Sequence, residues 1–167
     1  EMEVGLKPDQ RITLVAQADA DAKTRSPTPL NDDSVIVVSG GARGVTATCL
    51  IELLGRKPAK LAILGRTPLT EEPSHLSGFI TDAELKKALL SQYTEAGTKV
   101  TPLELNKEVT SLLNMREVLG NLERLTATGS QVIYLATDIA DAASVEASIG
   151  KVHKEMGPIN VIVHAAG

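Results

Sequence analysis

The stretch from Val35 to Gly55, VIVVSGGARGVTATCLIELLG, constrains the fold more than any other part of the chain. Its uninterrupted apolar run, Val35–Ser39, predicts a strand covered on both faces, which is typical of an interior strand of a parallel sheet. A glycine-rich turn then leads into an apolar pattern of helical period, which predicts a helix over Val45–Leu54. Gly55 suits the C′ position of that helix, and Pro58 lies just beyond it.

The same alternation of strand and helix resumes after a long interlude. KLAILGR, Lys60–Arg66, predicts a second buried strand, and QVIYLAT, Gln131–Thr137, predicts a third. DAASVEASIGKVHKEMG predicts a helix, and INVIVHAAG, which begins at Ile159, predicts a fourth strand. Such alternation favours a parallel sheet with helices on both faces. We therefore predict an α/β protein with a Rossmann-like, doubly wound parallel sheet and a helical insertion after the second core strand.

The pattern divides the chain into a leading segment and one domain. Residues 1–32 contain one candidate strand, Ile12–Ala16, followed by a linker rich in Pro, Asp, Ser and Thr. Residues 33–167 are predicted to form the nucleotide-binding Rossmann domain, which carries the insertion at residues 68–129.

Two amphipathic helices are predicted in the insertion. Each begins with a capping box, Thr81–Glu84 in one and Thr101–Glu104 in the other, and Pro102 lies in the first turn of the second. Gly120 is a candidate point of interruption in the second, longer helix. Three roles fit these helices: packing onto the parent fold, which their apolar stripes favour, a docking surface for a neighbouring domain, or a lid over the substrate.

Composition argues against several classes of function. The net charge is −4, so no basic field favours nucleic acid or a membrane surface as a partner. No apolar run reaches the roughly 18–20 residues of a membrane span. The single cysteine, Cys49, excludes an internal disulfide and a multi-cysteine metal site, and its place in the first helix predicts a small buried residue. No signal peptide opens the chain, so a cytoplasmic location is expected.

The glycine-rich turn predicts a phosphate-binding site. A helix that begins near Gly44 directs its free N–H groups and a partial positive charge toward the loop. Gly40 and Gly41 admit backbone angles closed to other residues, and Gly44, without a Cβ, lets a phosphate approach the backbone. A purely structural turn is the alternative. The buried strand before it and the helix after it favour nucleotide binding.

The end of the second predicted strand distinguishes between nucleotides. An NAD site commonly has an Asp or Glu about twenty residues beyond the glycines, where it binds the ribose 2′-hydroxyl. This chain has Arg66 there, in LGRTP, and Arg43 lies within the glycine turn. Guanidinium groups attract a 2′-phosphate through charge-assisted hydrogen bonds, so the pair favours NADP(H). Two solvated surface arginines are the alternative.

Four motifs, SGGARGVTA, LGRTP, TDIAD and VIVHAAG, resemble those of short-chain dehydrogenases/reductases. The closest resemblance is to the coenzyme-binding part of ketoreductase domains from polyketide or polyunsaturated fatty acid synthases, over residues 33–167. The family's T-G-x-x-x-G-x-G turn has Ser39 here in place of Thr and Thr46 in place of the last glycine. HAAG replaces the family's N-A-G, so His164 stands where many members have Asn, a position that favours a structural role.

The resemblance implies a set of coenzyme-binding residues. Asp138 would accept a hydrogen bond from the adenine amine and Ile139 would pack on the ring, although Asp138, like Asp141, also suits a helix N-cap. Small residues after the fourth strand would let the backbone lie against the coenzyme ribose. The implied set is Gly40, Gly41, Ala42, Arg43, Gly44, Val45, Gly65, Arg66, Thr67, Asp138, Ile139, Ala165, Ala166 and Gly167.

The resemblance also implies a reaction. Members of the family use NADPH to reduce a β-ketoacyl group on an acyl carrier protein to a β-hydroxyacyl group, beside other synthase domains. Their catalytic Ser, Tyr and Lys would follow Gly167, so this chain alone is expected to bind coenzyme without catalysing reduction. A non-catalytic Rossmann scaffold is the alternative. In the family the fourth strand lies beside a fifth, so residues 159–163 are expected to form an apolar edge that favours aggregation or a homodimer.

Overall fold

The computed structural model describes residues 4–13 and 30–166. The strands in these ranges are β1 (Val4–Lys7), β2 (Gln10–Thr13), β3 (Val35–Ser39), β4 (Lys60–Gly65), β5 (Gln131–Ala136) and β6 (Ile159–His164). The helices are α1 (Gly44–Arg56), α2 (Asp82–Glu95), α3 (Pro102–Thr126) and α4 (Ala142–Met156). Among the described residues, none of these helices is long and apolar enough to cross a membrane.

Four strands form a parallel sheet in the order β5-β4-β3-β6. The interior strand β3 is buried along its whole length and pairs in register with β4, from Val35 opposite Lys60 to Ser39 opposite Leu64. Both faces of β3 are covered, so every side chain along it is buried, which accounts for its continuous apolar run. The register brings the carboxyl ends of the strands to one edge, where the glycine turn leaves β3.

Helices cover both faces of the sheet. Alternate side chains of β3 enter different clusters, as the two-residue period of a strand requires. Ile36 and Val38 pack with residues of α1 and α3 on one face. Val35 and Val37 pack with α4 residues, among them Val152, on the other. The predicted Rossmann-like, doubly wound α/β fold with an insertion after the second core strand is confirmed.

The sheet ends at β6 within the described residues. β6 pairs with β3, and its burial alternates along the strand, with the Ile162 side chain 73% exposed. The expected apolar edge is therefore present in the described part of the chain. Aggregation or homodimer formation through it remains a prediction.

Two expectations for α1 are wrong. The helix continues through Gly55 to Arg56, and the N–H of the C-cap Lys57 still donates to Leu53 O at 3.1 Å. Pro58, which cannot donate such a bond, is the residue that prevents continuation. Cys49 is exposed rather than buried, because its position on α1 faces away from the sheet. Its small size is therefore not a packing requirement.

The leading segment differs from the predicted strand Ile12–Ala16. The described residues form an antiparallel hairpin, in which β1 pairs with β2 from Val4 opposite Thr13 to Lys7 opposite Gln10. Residues 14–16 and most of the predicted linker lie outside the described ranges. The hairpin residues are all exposed.

The insertion is a pair of helices, α2 and α3, that pack against each other around a core of their own. Both predicted capping boxes are present, at Thr81 before α2 and at Thr101 before α3. α3 runs without interruption through Gly120, because a glycine in a helix interior weakens a helix without breaking it. The insertion core consists of Leu76, Leu85, Leu89, Val109, Leu112 and Met115.

The carboxyl-terminal half of α3 packs against the sheet rather than in the insertion core. Val118 and Leu125 are buried in the cluster that α1 forms with the sheet. One long helix therefore connects the insertion core to the main core, which supports the packing role over a detached lid. Arg116 fixes the loop before α2, since its guanidinium bonds the Glu72 carboxylate and donates to Leu76 O at 2.9 Å.

We expect Gly41→Ala to lower the free energy of unfolding by about 1–3 kcal/mol, because a Cβ at this position overfills the space between β3 and α1. That Cβ would lie 2.7 Å from Val38 Cγ1 and 2.9 Å from Leu50 Cδ1. Urea denaturation measures the effect. Gly55→Ala is the control: its Cβ meets no atom within 4 Å, and it should stabilise the helix by about 0.5–1 kcal/mol. A Gly41→Ala protein as stable as the parent would contradict this packing.

We expect the Glu72–Arg116 pair to make stability depend on acid pH. Hydrogen bonds from Arg116 hold the pKa of Glu72 below its ordinary value of 4.5. A carboxyl group whose pKa is lower in the folded state than in the unfolded state contributes its full stabilisation at a pH above its unfolded-state pKa. That stabilisation is lost as the pH falls through its folded-state pKa. The stability difference between the parent and Glu72→Gln should thus be present at pH 7 and shrink progressively below pH 4.5. Glu71→Gln, next to it, should show no such difference; a Glu72→Gln effect that does not vary with pH would refute the assignment.

Candidate functional site

A cavity of about 610 Å³ opens at the carboxyl ends of the parallel strands. This is where open α/β sheets bind ligands, and the size is that of a small-molecule site. The glycine turn, the ends of β4 and β5, the residues after β6 and part of α3 contribute to it. Its lining residues are Gly40, Ala42, Arg43, Gly44, Thr46, Leu64, Gly65, Arg66, Thr67, Glu117, Val118, Tyr134, Thr137, Asp138, Ile139, Ala140, Ala165 and Ala166.

Glycines shape the turn in three different ways. Gly40 has φ +77°, and a Cβ there would lie 3.0 Å from the backbone of Ala165 and Ala166. A side chain is therefore excluded by both conformation and space. Gly44 has φ +60° and open space where its Cβ would be, so the cavity reaches its backbone. Gly41 does not line the cavity. A glycine is needed there because a Cβ would clash with the side chains of Val38 and Leu50.

Hydrogen bonds hold the strand ends together beneath the cavity. Ser39 Oγ and His164 Nδ1 are 2.7 Å apart, and the Ala165 N–H donates to Ser39 O at 3.0 Å. The Gly40 N–H donates to Leu64 O at 2.9 Å. His164 thus connects β6 to β3, which agrees with the structural role that the sequence favoured.

Two arginines face the cavity. Arg43 occupies the N-cap position of α1 in an extended conformation, and its side chain does not cap the helix. Arg66 follows directly after β4, and both side chains are exposed. Within the described residues neither forms an ion pair. The cavity therefore has two guanidinium groups with donors available for an anion, close to the N-terminus of α1.

Tyr134 supports the turn that carries Arg66. Its hydroxyl donates to Thr67 O at 2.8 Å from the neighbouring strand. A Cβ at Gly65 would lie 2.5 Å from the Tyr134 hydroxyl oxygen, so the glycine is required by this side chain. Burial raises the pKa of Tyr134, which keeps the hydroxyl protonated and able to donate.

The two aspartates after β5 have separate tasks. Asp141 is the N-cap of α4, and its carboxylate accepts from the N–H groups of Ala143 and Ser144 at 3.2 and 3.3 Å. Asp138 accepts from the Ala140 N–H at 3.1 Å and lines the cavity. Of the two roles that fit Asp138, helix capping is performed by Asp141. The adenine contact stays a prediction.

The insertion reaches the site, which sequence reasoning missed. The Gly44 N–H donates to Glu117 Oε1 at 3.0 Å, and Asn121 Nδ2 donates to Ala42 O at 3.0 Å. The two α3 residues lie four apart and therefore share a helix face. That spacing is visible in the sequence, but no local pattern shows that this face packs on the glycine turn. Sequence reasoning also missed three lining residues that lie within a strand or directly after one, where the sequence does not show which side chains face the cavity: Leu64, Tyr134 and Thr137.

The structure brings most of the predicted coenzyme-binding residues to one cavity. Gly41 and Val45 do not line it, and Val45 is 81% exposed on the outer side of α1. Gly167 lies outside the described residues. The predicted residues that line the cavity are Gly40, Ala42, Arg43, Gly44, Gly65, Arg66, Thr67, Asp138, Ile139, Ala165 and Ala166.

The fold and this cavity define a Rossmann-like α/β domain of the short-chain dehydrogenase/reductase type. Residues 34–167 match the model of the KR domain family. The chain belongs to that family, the ketoreductase domains, as its four motifs predicted.

Similar proteins are large synthases. The chain is 34% identical over 146 residues to one component of the polyunsaturated fatty acid synthase of Thraustochytrium sp., a match that covers 83% of this chain and 5% of that protein. It is 23% identical over 160 residues to the polyketide synthase PksL of Bacillus subtilis, covering 94% of this chain and 3% of that protein. This sequence therefore spans only a small fraction of the curated relatives that it matches.

A solved structure agrees with the fold. An N-terminal ketoreductase from the macrolactin assembly line superimposes with a TM-score of 0.51 at 19% identity, over 95% of this chain and 21% of that chain.

We expect Tyr134→Phe to lower the free energy of unfolding by about 0.5–1.5 kcal/mol, because the hydroxyl's bond to Thr67 O is lost. Chemical denaturation of both proteins measures the difference. Tyr93→Phe is the matched control, since the Tyr93 hydroxyl donates to the exposed Glu108 carboxylate at 2.8 Å. Its effect should stay within about 0.5 kcal/mol. Equal effects of the two substitutions would refute the supporting role of Tyr134.

Proposed function

We propose that this chain is the coenzyme-binding part of an NADPH-dependent ketoreductase domain in a multidomain polyketide or polyunsaturated fatty acid synthase. The observation that carries the proposal is a single cavity that combines the glycine turn, the N-terminus of α1 and two exposed arginines. Membership of the KR family gives the reaction class. The coenzyme identity rests on the arginines.

The residues present fit a dinucleotide phosphate. Gly40 brings the chain against Ala165–Ala166, and Gly44 leaves its backbone open to the cavity. The first turn of α1 contains no acidic residue, so no carboxylate of that turn offsets the partial positive charge that favours a pyrophosphate there. Asp138 and Ile139 line the same cavity, where they offer an acceptor and an apolar surface to an adenine ring.

NADP(H) rather than NAD(H) is favoured by charge at the end of β4. An acid at this position would accept from a ribose 2′-hydroxyl and repel a 2′-phosphate. Arg66 reverses that preference, and Arg43 adds a second guanidinium from the glycine turn. Tyr134 helps this selection by holding the Thr67 carbonyl, and with it the backbone that carries Arg66.

The reaction we propose is reduction of a β-ketoacyl group, carried on an acyl carrier protein, to a β-hydroxyacyl group. NADPH, when bound, supplies the hydride. The described residues of this chain bind and orient the coenzyme, while protonation of the carbonyl oxygen is the task of the family's Tyr, aided by its Lys and Ser. Neighbouring synthase domains are the expected partners.

Coenzyme titrations test the proposal. We expect this chain to bind NADPH more tightly than NADH, and Arg66→Ala to weaken NADPH binding roughly 10- to 100-fold, as for a lost hydrogen bond to a charged group, with NADH little changed. Nucleotide fluorescence measures both affinities. Arg56→Ala is the control, because Arg56 lies at the far end of α1 and pairs with Glu52.

Two outcomes would contradict the proposal in different ways. Equal affinity for NADH and NADPH would overturn the coenzyme assignment and leave the family intact. Failure to bind either coenzyme would favour the non-catalytic Rossmann scaffold.

A further inference from the structure

We propose that Glu117 of the inserted helix is an internal anion that occupies the phosphate-binding amide of the glycine turn and must be displaced by the coenzyme. The proposal rests on the coenzyme site described above and adds a residue that sets its affinity. It also gives α3 a functional role besides packing.

The Glu117 carboxylate lies at the N-terminus of α1. Glu117 Oε1 accepts from the Gly44 N–H at 3.0 Å, and Gly44 is the first residue of α1. The free N–H groups of a helix's first turn are the ones that bind phosphate. A carboxylate on that N–H therefore satisfies a donor that a pyrophosphate would use, and places a negative charge in the same cavity.

The Glu117 side chain can move away from the turn while α3 stays in place. Val118 is buried in the main core, and Asn121 Nδ2 donates to Ala42 O at 3.0 Å. These two residues hold α3 against the turn independently of the Glu117 carboxylate. Glu117 itself is exposed, so a rotation of its side chain moves the carboxylate into solvent without disturbing the packing.

Displacing the Glu117 carboxylate reduces the affinity for an anionic ligand. A hydrogen bond to an ionised carboxylate is about twice as strong as a neutral one, but solvent exposure reduces its value. An incoming phosphate must replace this bond and overcome the repulsion between two anions until the side chain moves away. Glu117 therefore lowers the affinity for any ligand that places an anion at the Gly44 N–H, while a neutral ligand such as adenosine is unaffected.

Binding measurements on the 167-residue chain test the proposal with three probes: inorganic pyrophosphate, NADPH and adenosine. Glu117→Gln removes the charge, and Glu117→Ala removes the side chain. Both should bind pyrophosphate and NADPH roughly three- to tenfold more tightly than the parent, while adenosine binding stays unchanged. Glu123→Gln is the matched control: it removes one exposed carboxylate from the same helix but does not line the cavity. Circular dichroism checks that each variant is folded.

The outcomes separate this proposal from the coenzyme assignment. Tighter pyrophosphate binding by the Glu117 variants, with no NADPH binding by any protein, would support the internal anion and refute the coenzyme. Unchanged or weaker pyrophosphate binding relative to Glu123→Gln would overturn the internal anion, as would failure of pyrophosphate to bind any variant. Weaker adenosine binding by Glu117→Ala would identify Glu117 as a ribose acceptor instead and would also overturn it.

Discussion

The close approach of the glycine turn to the backbone after β6 is the constraint on which the site depends. Gly40 leaves β3 with φ +77°, and its α-carbon faces the Ala165–Ala166 backbone so closely that a Cβ would lie 3.0 Å away. Two contacts hold the strand ends at this distance: the Ser39–His164 side-chain contact and the hydrogen bond from the Ala165 N–H to Ser39 O. Because β3 and β6 pair directly, the turn and the small residues after β6 form one wall of the cavity.

Much of the fold was predictable because the chain contains local signals that agree with one another. The apolar run of β3 has the burial that a parallel interior strand requires, and both capping boxes of the insertion occur where Thr81 and Thr101 indicated. The wrong predictions arose where a local signal was ambiguous. Gly55 is compatible with a helix end but also with a helix interior, whereas Pro58 has no N–H to donate to the next helical hydrogen bond.

The candidate site was predictable only in the parts that come from one strand-turn-helix unit or from a known motif. Gly40, Gly44 and Arg66 line the cavity as expected. Glu117 and Asn121 were not predicted, because their contact with the turn joins positions more than seventy residues apart and depends on how α3 packs. Such long-range contacts leave no periodic pattern in a single sequence. Gly41 shows the reverse case, a glycine in the motif whose requirement is packing against the core.

The central claim is that the glycine turn, the end of β4 and the residues after β5 together bind an adenosine carrying a 2′-phosphate. Amide NMR spectra recorded while 2′,5′-ADP is added to the chain test it most directly. The account predicts saturable shifts centred on Gly40, Gly44, Thr67 and Asp138, and weaker shifts at the same amides with 5′-AMP. Spectra that do not change, or shifts confined to the far end of the insertion around Leu89 and Val109, would contradict it.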